Sequence, residues 1–277
     1  MKDAVLPPEA EQHVHRFKKS LSLQMQAQEV ARAIRGAEGL ACLDIGATNG
    51  MFCHQLRKLG GTWSTMVPHP SLAAAVRAVV GDNVHVLEDS KLPFKKKAFD
   101  VVVATDFLPQ AESDESFIEE CHRVLKPDGR LIVNVSHRKP FSLINAMRRA
   151  AAPDEGREWG PAQPGFSEAQ IFRNLKNGFD VLHVRSYSRF CVEFLQALLL
   201  IAERRSALAG HDAELRGLYS VAYPFQRLAY QFDMLLLLTR GFRLIATAKR
   251  HVWLPRAAPI LVDGRSISEA VLSRASG

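Results

Sequence analysis

Cysteine is scarce in this sequence. Four are present, Cys42, Cys53, Cys121 and Cys191, and no two stand in a CxxC spacing. That excludes a disulfide framework and a cysteine zinc site, and it fits a reducing cytoplasm. No cluster of His, Cys and Asp has ligand spacing, so no metal is expected. Long apolar runs are missing as well. The longest, near 191–202 and 234–238, fall short of the roughly 20 residues a bilayer-spanning helix needs. The first twenty residues carry Glu9, Glu11 and two histidines but no apolar signal-peptide core, so the expected place is the cytoplasm. No internal repeat is found. Acidic residues are outnumbered, 29 against 36 Lys and Arg, for a net charge of +7. That favours anionic partners, whether a phosphate-bearing substrate, nucleic acid or a membrane surface, without choosing among them. The sharpest local absence is of carboxylates: none occurs between Asp44 and Asp82.

What is present suits a packed core, with 47% apolar and 23% charged residues. Short apolar runs at 40–46, 63–67, 83–87, 99–104, 130–136, 179–185 and 242–248 read as strands. Helical spacing fills 21–36, 51–59, a stretch capped by Ser71 and ending near Val80, 115–125, and a stretch from Ser167 to Lys176. Strands alternating with helices predict an α/β fold, a Rossmann-like seven-stranded, mostly parallel sheet with helices on both faces. The chain divides into a leader and helix (1–36), a core (37–186 and 242–250), an apolar helical insertion between the last two strands (187–241) and a tail (251–277).

Residues 43–50, Leu-Asp-Ile-Gly-Ala-Thr-Asn-Gly, stand at a strand-to-helix turn. Glycine there lets backbone approach a ligand, and the helix start offers free N–H groups. A glycine turn alone is weak evidence of a site. Two further motifs follow in order: Glu88-Asp89-Ser90-Lys91-Leu92-Pro93-Phe94 with Phe99-Asp100-Val101-Val102, and Arg123-Val124-Leu125-Lys126-Pro127-Asp128-Gly129. Together the three resemble the class I S-adenosylmethionine (SAM)-dependent methyltransferases, in the small-molecule and lipid branch, over about residues 30–185 and 242–250.

The resemblance implies SAM as cofactor and assigns roles by position. Asp44, Gly46, Thr48 and Gly50 belong to the loop around the methionine and ribose. Asp89 and Ser90 are expected at the adenine. Thr105, within the 104–107 segment, is expected on the methyl-transfer side. Asp106 and His137 follow strand ends on that edge and are the candidates for a general base. Two departures stand out: Thr48 replaces the family's middle glycine, and Val67 stands where a ribose-binding carboxylate is expected, leaving His69 as a substitute. Two readings therefore stay open, an active methyltransferase and a methyltransferase-like protein that has lost SAM and serves as a partner or scaffold.

The 187–241 segment carries Phe190, Phe194, Leu198, Phe225, Leu228, Phe232 and Leu235 on apolar faces, flanked by Arg189, Arg204, Arg205, Arg227, Arg240 and Arg243. It reads either as helices packed on the domain or at a homodimer interface, or as a lid for a lipid or isoprenoid-like acceptor that rests on an anionic membrane surface at the inner face of the membrane. Nucleic acid is disfavoured, because Lys95-Lys96-Lys97 lacks aromatic interleaving.

Overall fold

The computed structural model describes residues 14–46, 50–87, 91–111, 113–139, 143–144, 146–147, 165–208, 214–235 and 239–253. The strands are β1 Ala41–Ile45, β2 Thr62–Val67, β3 Val84–Val86, β4 Phe99–Thr105, β5 Leu125–Ser136, β6 Phe179–Tyr187 and β7 Arg243–Arg250. The helices are α1 Leu21–Ile34, α2 Met51–Arg57, α3 Pro70–Val80, α4 Asp114–Val124, α5 Glu168–Leu175, α6 Phe190–Leu208 and α7 Glu214–Leu235. The sheet runs β3-β2-β1-β4-β5-β7-β6. β7 alone is antiparallel to its neighbours, and its first residue, Arg243, lies opposite Ser136 at the end of β5.

Alternate residues of the strands feed two cores, as the period of two requires. Leu43, Ile45, Val102, Leu131 and Val133 pack with Phe117, Ile118 and Cys121 of α4 and with Ile171 and Leu175 of α5. On the other face Cys42, Val101, Val103, Ile132 and Ile245 meet Val30 and Ile34 of α1 and Leu56 of α2.

Two local expectations are corrected. Ser71 does not cap α3. Pro70 takes the first helical turn and His69 the cap, its Nδ1 accepting from Ser71 N at 3.2 Å. Proline suits that first position and pushes the residue before it into extended backbone. The strand expected over 130–136 also starts earlier. The strand begins at Leu125, directly after α4. Its pairing with β4 skips from Phe99–Leu125 to Val101–Arg130, and the extra residues are absorbed in a bulge with Asp128 at φ 62°.

The sequence motifs act as braces. Asp100 Oδ2 accepts from Ala41 N (2.9 Å) and from Lys126 Nζ (2.8 Å), which ties β1, β4 and β5 together. Arg123 donates to the carbonyls of Leu92 (2.8 Å) and Phe94 (2.7 Å), and Glu120 accepts from Leu92 N (2.9 Å). The Leu92-Pro93-Phe94 segment is thereby pinned to α4, on the approach to the sheet edge.

α6 and α7 are locked together and onto α1. The buried carboxylate of Asp233 accepts from Cys191 N (2.8 Å) and Val192 N (3.0 Å), capping α6 from α7. Leu21 N donates to Gln226 Oε1 (2.7 Å), and Ser20 Oγ donates to Gln196 Oε1 (3.0 Å). Losing a buried cap of this kind costs about 2 kcal/mol. Asp233→Ala is therefore expected to lower the melting temperature by about 4–8 °C. Asp233→Asn, which keeps a capping oxygen, is expected to lose less, and equal losses in a thermal melt would count against the cap. Among the described residues no helix is long and apolar enough to cross a membrane.

Candidate cofactor and acceptor site

The sheet order reverses between β1 and β4, with β2 and β3 on one side and β5 on the other. Parallel strands diverge into opposite crossovers there, and a crevice opens at their carboxyl ends. Asp44, the fourth residue of β1, is 1% exposed. It lies between Thr65 of β2 and Val103 of β4. Burial pushes its carboxyl up to about 6, partly opposed by a hydrogen bond from the thiol of Cys53 and by the charge of Arg57. Arg57 is itself bound to Thr65 Oγ1 (3.0 Å). The Cys53 thiol is driven well above its ordinary value, first by burial and then by Asp44. Among the described residues Asp44 Oδ2 has no hydrogen-bond partner.

Gly46 is where the chain leaves the sheet, at φ 98°. A Cβ there would stand 2.2 Å from Thr105 O and 3.2 Å from Phe107 Cβ, so only glycine lets the exit of β1 press against that of β4. Gly50 opens α2 at φ 72°, and a Cβ on it would stand 2.9 Å from Val79 Cβ. Thr105 ends β4, is 8% exposed, and its Oγ1 has no partner among the described residues. The carboxyl ends of β1 and β4 therefore each carry a buried oxygen without a mate among the described residues. Each such group costs about 1–3 kcal/mol, and a ligand bringing donors restores that energy. These acceptors fit the ammonium and hydroxyl groups of SAM.

Beside the crevice lies a buried polar network that sequence reading did not find. Arg243 donates to Asp106 Oδ2 and to Tyr187 Oη (3.3 Å), and Tyr187 donates to Asn134 Oδ1 (2.9 Å). Gln26 of α1 also donates to Asp106 Oδ2 (3.2 Å). Burial alone lowers the proton affinity of Arg243, but Asp106, Tyr187 and Glu193 outweigh it, and the net direction is upward. Arg243 is thus a buried partner of Asp106 and not a solvent-side flank of the helical segment. The pair is set by the start of β7 and by Asp106 at φ 52° just after β4.

The other expected residues fall in three places. His137 is 4% exposed at the end of β5, and its Nδ1 donates to Gly241 O (2.8 Å). His69 is exposed at the start of α3, engaged as its cap. Thr48, Asp89 and Ser90 lie outside the described residues. Only position left a signal for the missed network: Asn134 sits inside an apolar strand run, and Arg243 at a strand start.

Residues 43–133 match the family described as methyltransferase domain. The chain is 29% identical over 119 residues to a ubiquinone biosynthesis O-methyltransferase of Bradyrhizobium diazoefficiens, over 40% of this chain and 47% of that one. It thus spans about half the length of the curated relatives it matches. Among solved structures, the [4+2]-cyclase SpnF superposes with a TM-score of 0.57 at 19% identity, over 83% of this chain and 81% of the other. A putative sarcosine dimethylglycine methyltransferase from Galdieria sulphuraria gives 0.52 at 16% identity, over 83% and 84%. Both share the fold. Residues 43–133 thus resemble a methyltransferase domain, on a fold shared with both solved structures.

Proposed function

We propose that this chain transfers a methyl group from SAM to a small, lipid-like acceptor. The observation that carries the reading is the pair of buried oxygens without a mate among the described residues, Asp44 Oδ2 and Thr105 Oγ1, at the carboxyl ends of β1 and β4. Asp44 holds the cofactor's amino group and Thr105 a neighbouring polar atom. When bound, SAM supplies a methyl already activated by a sulfonium, so the chain's main task is to align the acceptor. Where the acceptor is a hydroxyl, His137 is the proposed proton acceptor: its Nδ1–H is committed to Gly241 O, which leaves the lone pair on Nε2.

A second reading, a methyltransferase-like partner without SAM, is favoured by the end of β2, where buried Val67 replaces a carboxylate and His69 is occupied as a cap. Calorimetric titration with SAM and with S-adenosylhomocysteine separates the two. Binding at about micromolar strength is expected, with His137→Gln retaining it while turnover on lipid extracts falls. No binding at about millimolar ligand would leave the partner reading standing.

The lipid-like acceptor is supported by the name of the curated relatives and by α7. Val221, Phe225, Leu228, Phe232 and Leu235 recur at spacings of four and three, so they share one face, and each is 52% exposed or more. No acidic residue stands among the exposed positions from 217 to 235. In this reading the face rests on an anionic membrane surface. Changing Phe225, Leu228 and Phe232 together to serine is expected to leave folding intact and abolish flotation with anionic vesicles. Undiminished flotation would remove the surface role.

A further inference from the structure

A cleft of about 580 Å³ lies on the α1 face of the sheet, between the end of that helix and strands β5, β6 and β7. It is not the cofactor crevice. Arg130, on its wall, pairs with Lys249 near the end of β7, towards the edge opposite the carboxyl ends of β1 and β4. Four guanidiniums line it: Arg32 and Arg35 from α1 and its cap, Arg130 from β5, and Arg185 from β6. His183 adds a donor, and Leu182, 48% exposed, adds an apolar wall.

The charges do not cancel. Glu29 is 8% exposed and binds both Arg32 (2.8 Å) and Arg185, so one buried carboxylate orients two guanidiniums. Arg35 and Arg130 have no ion-pair partner among the described residues. Glu29 sets one negative charge against four guanidiniums, and like charges gathered in this way repel one another. Guanidinium forks match phosphate oxygens two at a time. The size is that of a small-molecule site, within about 300–1,000 Å³.

We propose that this cleft binds a phosphate-bearing ligand, its anion among Arg35, Arg130 and the Glu29-oriented pair and its apolar part against Leu182. The site is independent of the methyl-transfer reading.

The test uses the full chain and three probes: inorganic pyrophosphate, ADP, and vesicles of phosphatidylglycerol compared with phosphatidylcholine. Pyrophosphate or ADP is expected to bind at about 10–100 μM in low salt and to weaken as salt is raised. The double variant Arg35→Gln/Arg130→Gln is expected to lose at least about tenfold while melting like the parent and titrating unchanged with SAM. Arg35→Lys/Arg130→Lys, which keeps charge but not the fork, is expected to fall between. Sedimentation with phosphatidylglycerol alone, lost in the double variant, also supports the site and assigns its ligand to a lipid head group. Silence of all probes, equal binding by the double variant, or a parallel loss of SAM binding overturns the proposal.

Discussion

Asp106→Ala is expected to destabilise the protein by about 2–3 kcal/mol, more than Arg243→Met does. Breaking a fully buried ion pair by removing one partner costs about 3–5 kcal/mol, because a charge is left in low dielectric. Here the two partners are unequally placed. The Arg243 side chain is 10% exposed and that of Asp106 is 41% exposed. Removing Asp106 strands a cation that keeps its proton at any ordinary pH. Removing Arg243 leaves an anion that water reaches, and methionine fills the space of the aliphatic stem. The expected loss for Arg243→Met is about 1 kcal/mol. Urea unfolding measures both, and the larger loss corresponds to a fall of about 5–10 °C in melting temperature. Asp106→Asn, which can still accept from Gln26 and Arg243, should fall between. An Asp106→Ala protein as stable as the parent, with only its pH–rate profile altered, would instead make Asp106 a free general base.

Asp44→Asn is expected to make the ligand-free protein more stable at neutral pH and, at the same time, unable to hold its cofactor well. The ordinary aspartate value is about 3.9, and burial pushes Asp44 up to about 6. Between those values the folded chain keeps a proton that the unfolded chain has released. The stability of the ligand-free protein therefore falls as pH rises through the window from about 4 to about 6. Two units correspond to roughly 3 kcal/mol, absent below the window and fully felt above it. Asparagine removes the slope. It also removes the charge-assisted bond to the cofactor's amine, worth about 1.5–3 kcal/mol, so SAM is expected to bind about 10–100-fold more weakly. In the parent, SAM affinity should decline below about pH 6, as the carboxyl takes up its proton. A parent whose ligand-free stability is flat from pH 4 to 7, or an Asn variant that binds SAM as well as the parent does, would remove Asp44 from the site.

Short apolar runs alternating with helices made the strands readable, and the ordered motifs mark β1, β4 and β5 for a physical reason. Leu43-Asp44-Ile45-Gly46, Phe99-Asp100-Val101-Val102 and Arg123-Val124-Leu125-Lys126 are where backbone, charge and glycine requirements coincide, as Gly46 against Thr105 O and Asp100 between Ala41 and Lys126 show. Errors arose where a neighbour in space decided the matter. Ser71 is a good cap by type, yet Pro70 hands that place to His69. Lys126-Pro127-Asp128-Gly129 has turn composition, yet β4 pairs with Leu125 before it and Arg130 after it, so the stretch becomes a bulge within one strand. The Asp106–Arg243–Tyr187–Asn134 network was invisible because each member comes from a different segment and none has a partner nearby in sequence. The adenine side, at Asp89 and Ser90, lies outside the described residues.

The position of β7 also governs the order of assembly on the ribosome. β6 touches the sheet only through β7, which enters between it and β5 from the other direction. Residues 179–187 therefore leave the tunnel with no strand to join until 243–250 have followed. At about 5–20 residues per second that delay is roughly 3–13 s, a window in which the unpaired strand is open to capture by a chaperone or by another nascent chain. The strand that ends the wait is the one that brings Arg243 to Asp106. Sheet closure and neutralisation of buried Arg243 thus fall in the same step.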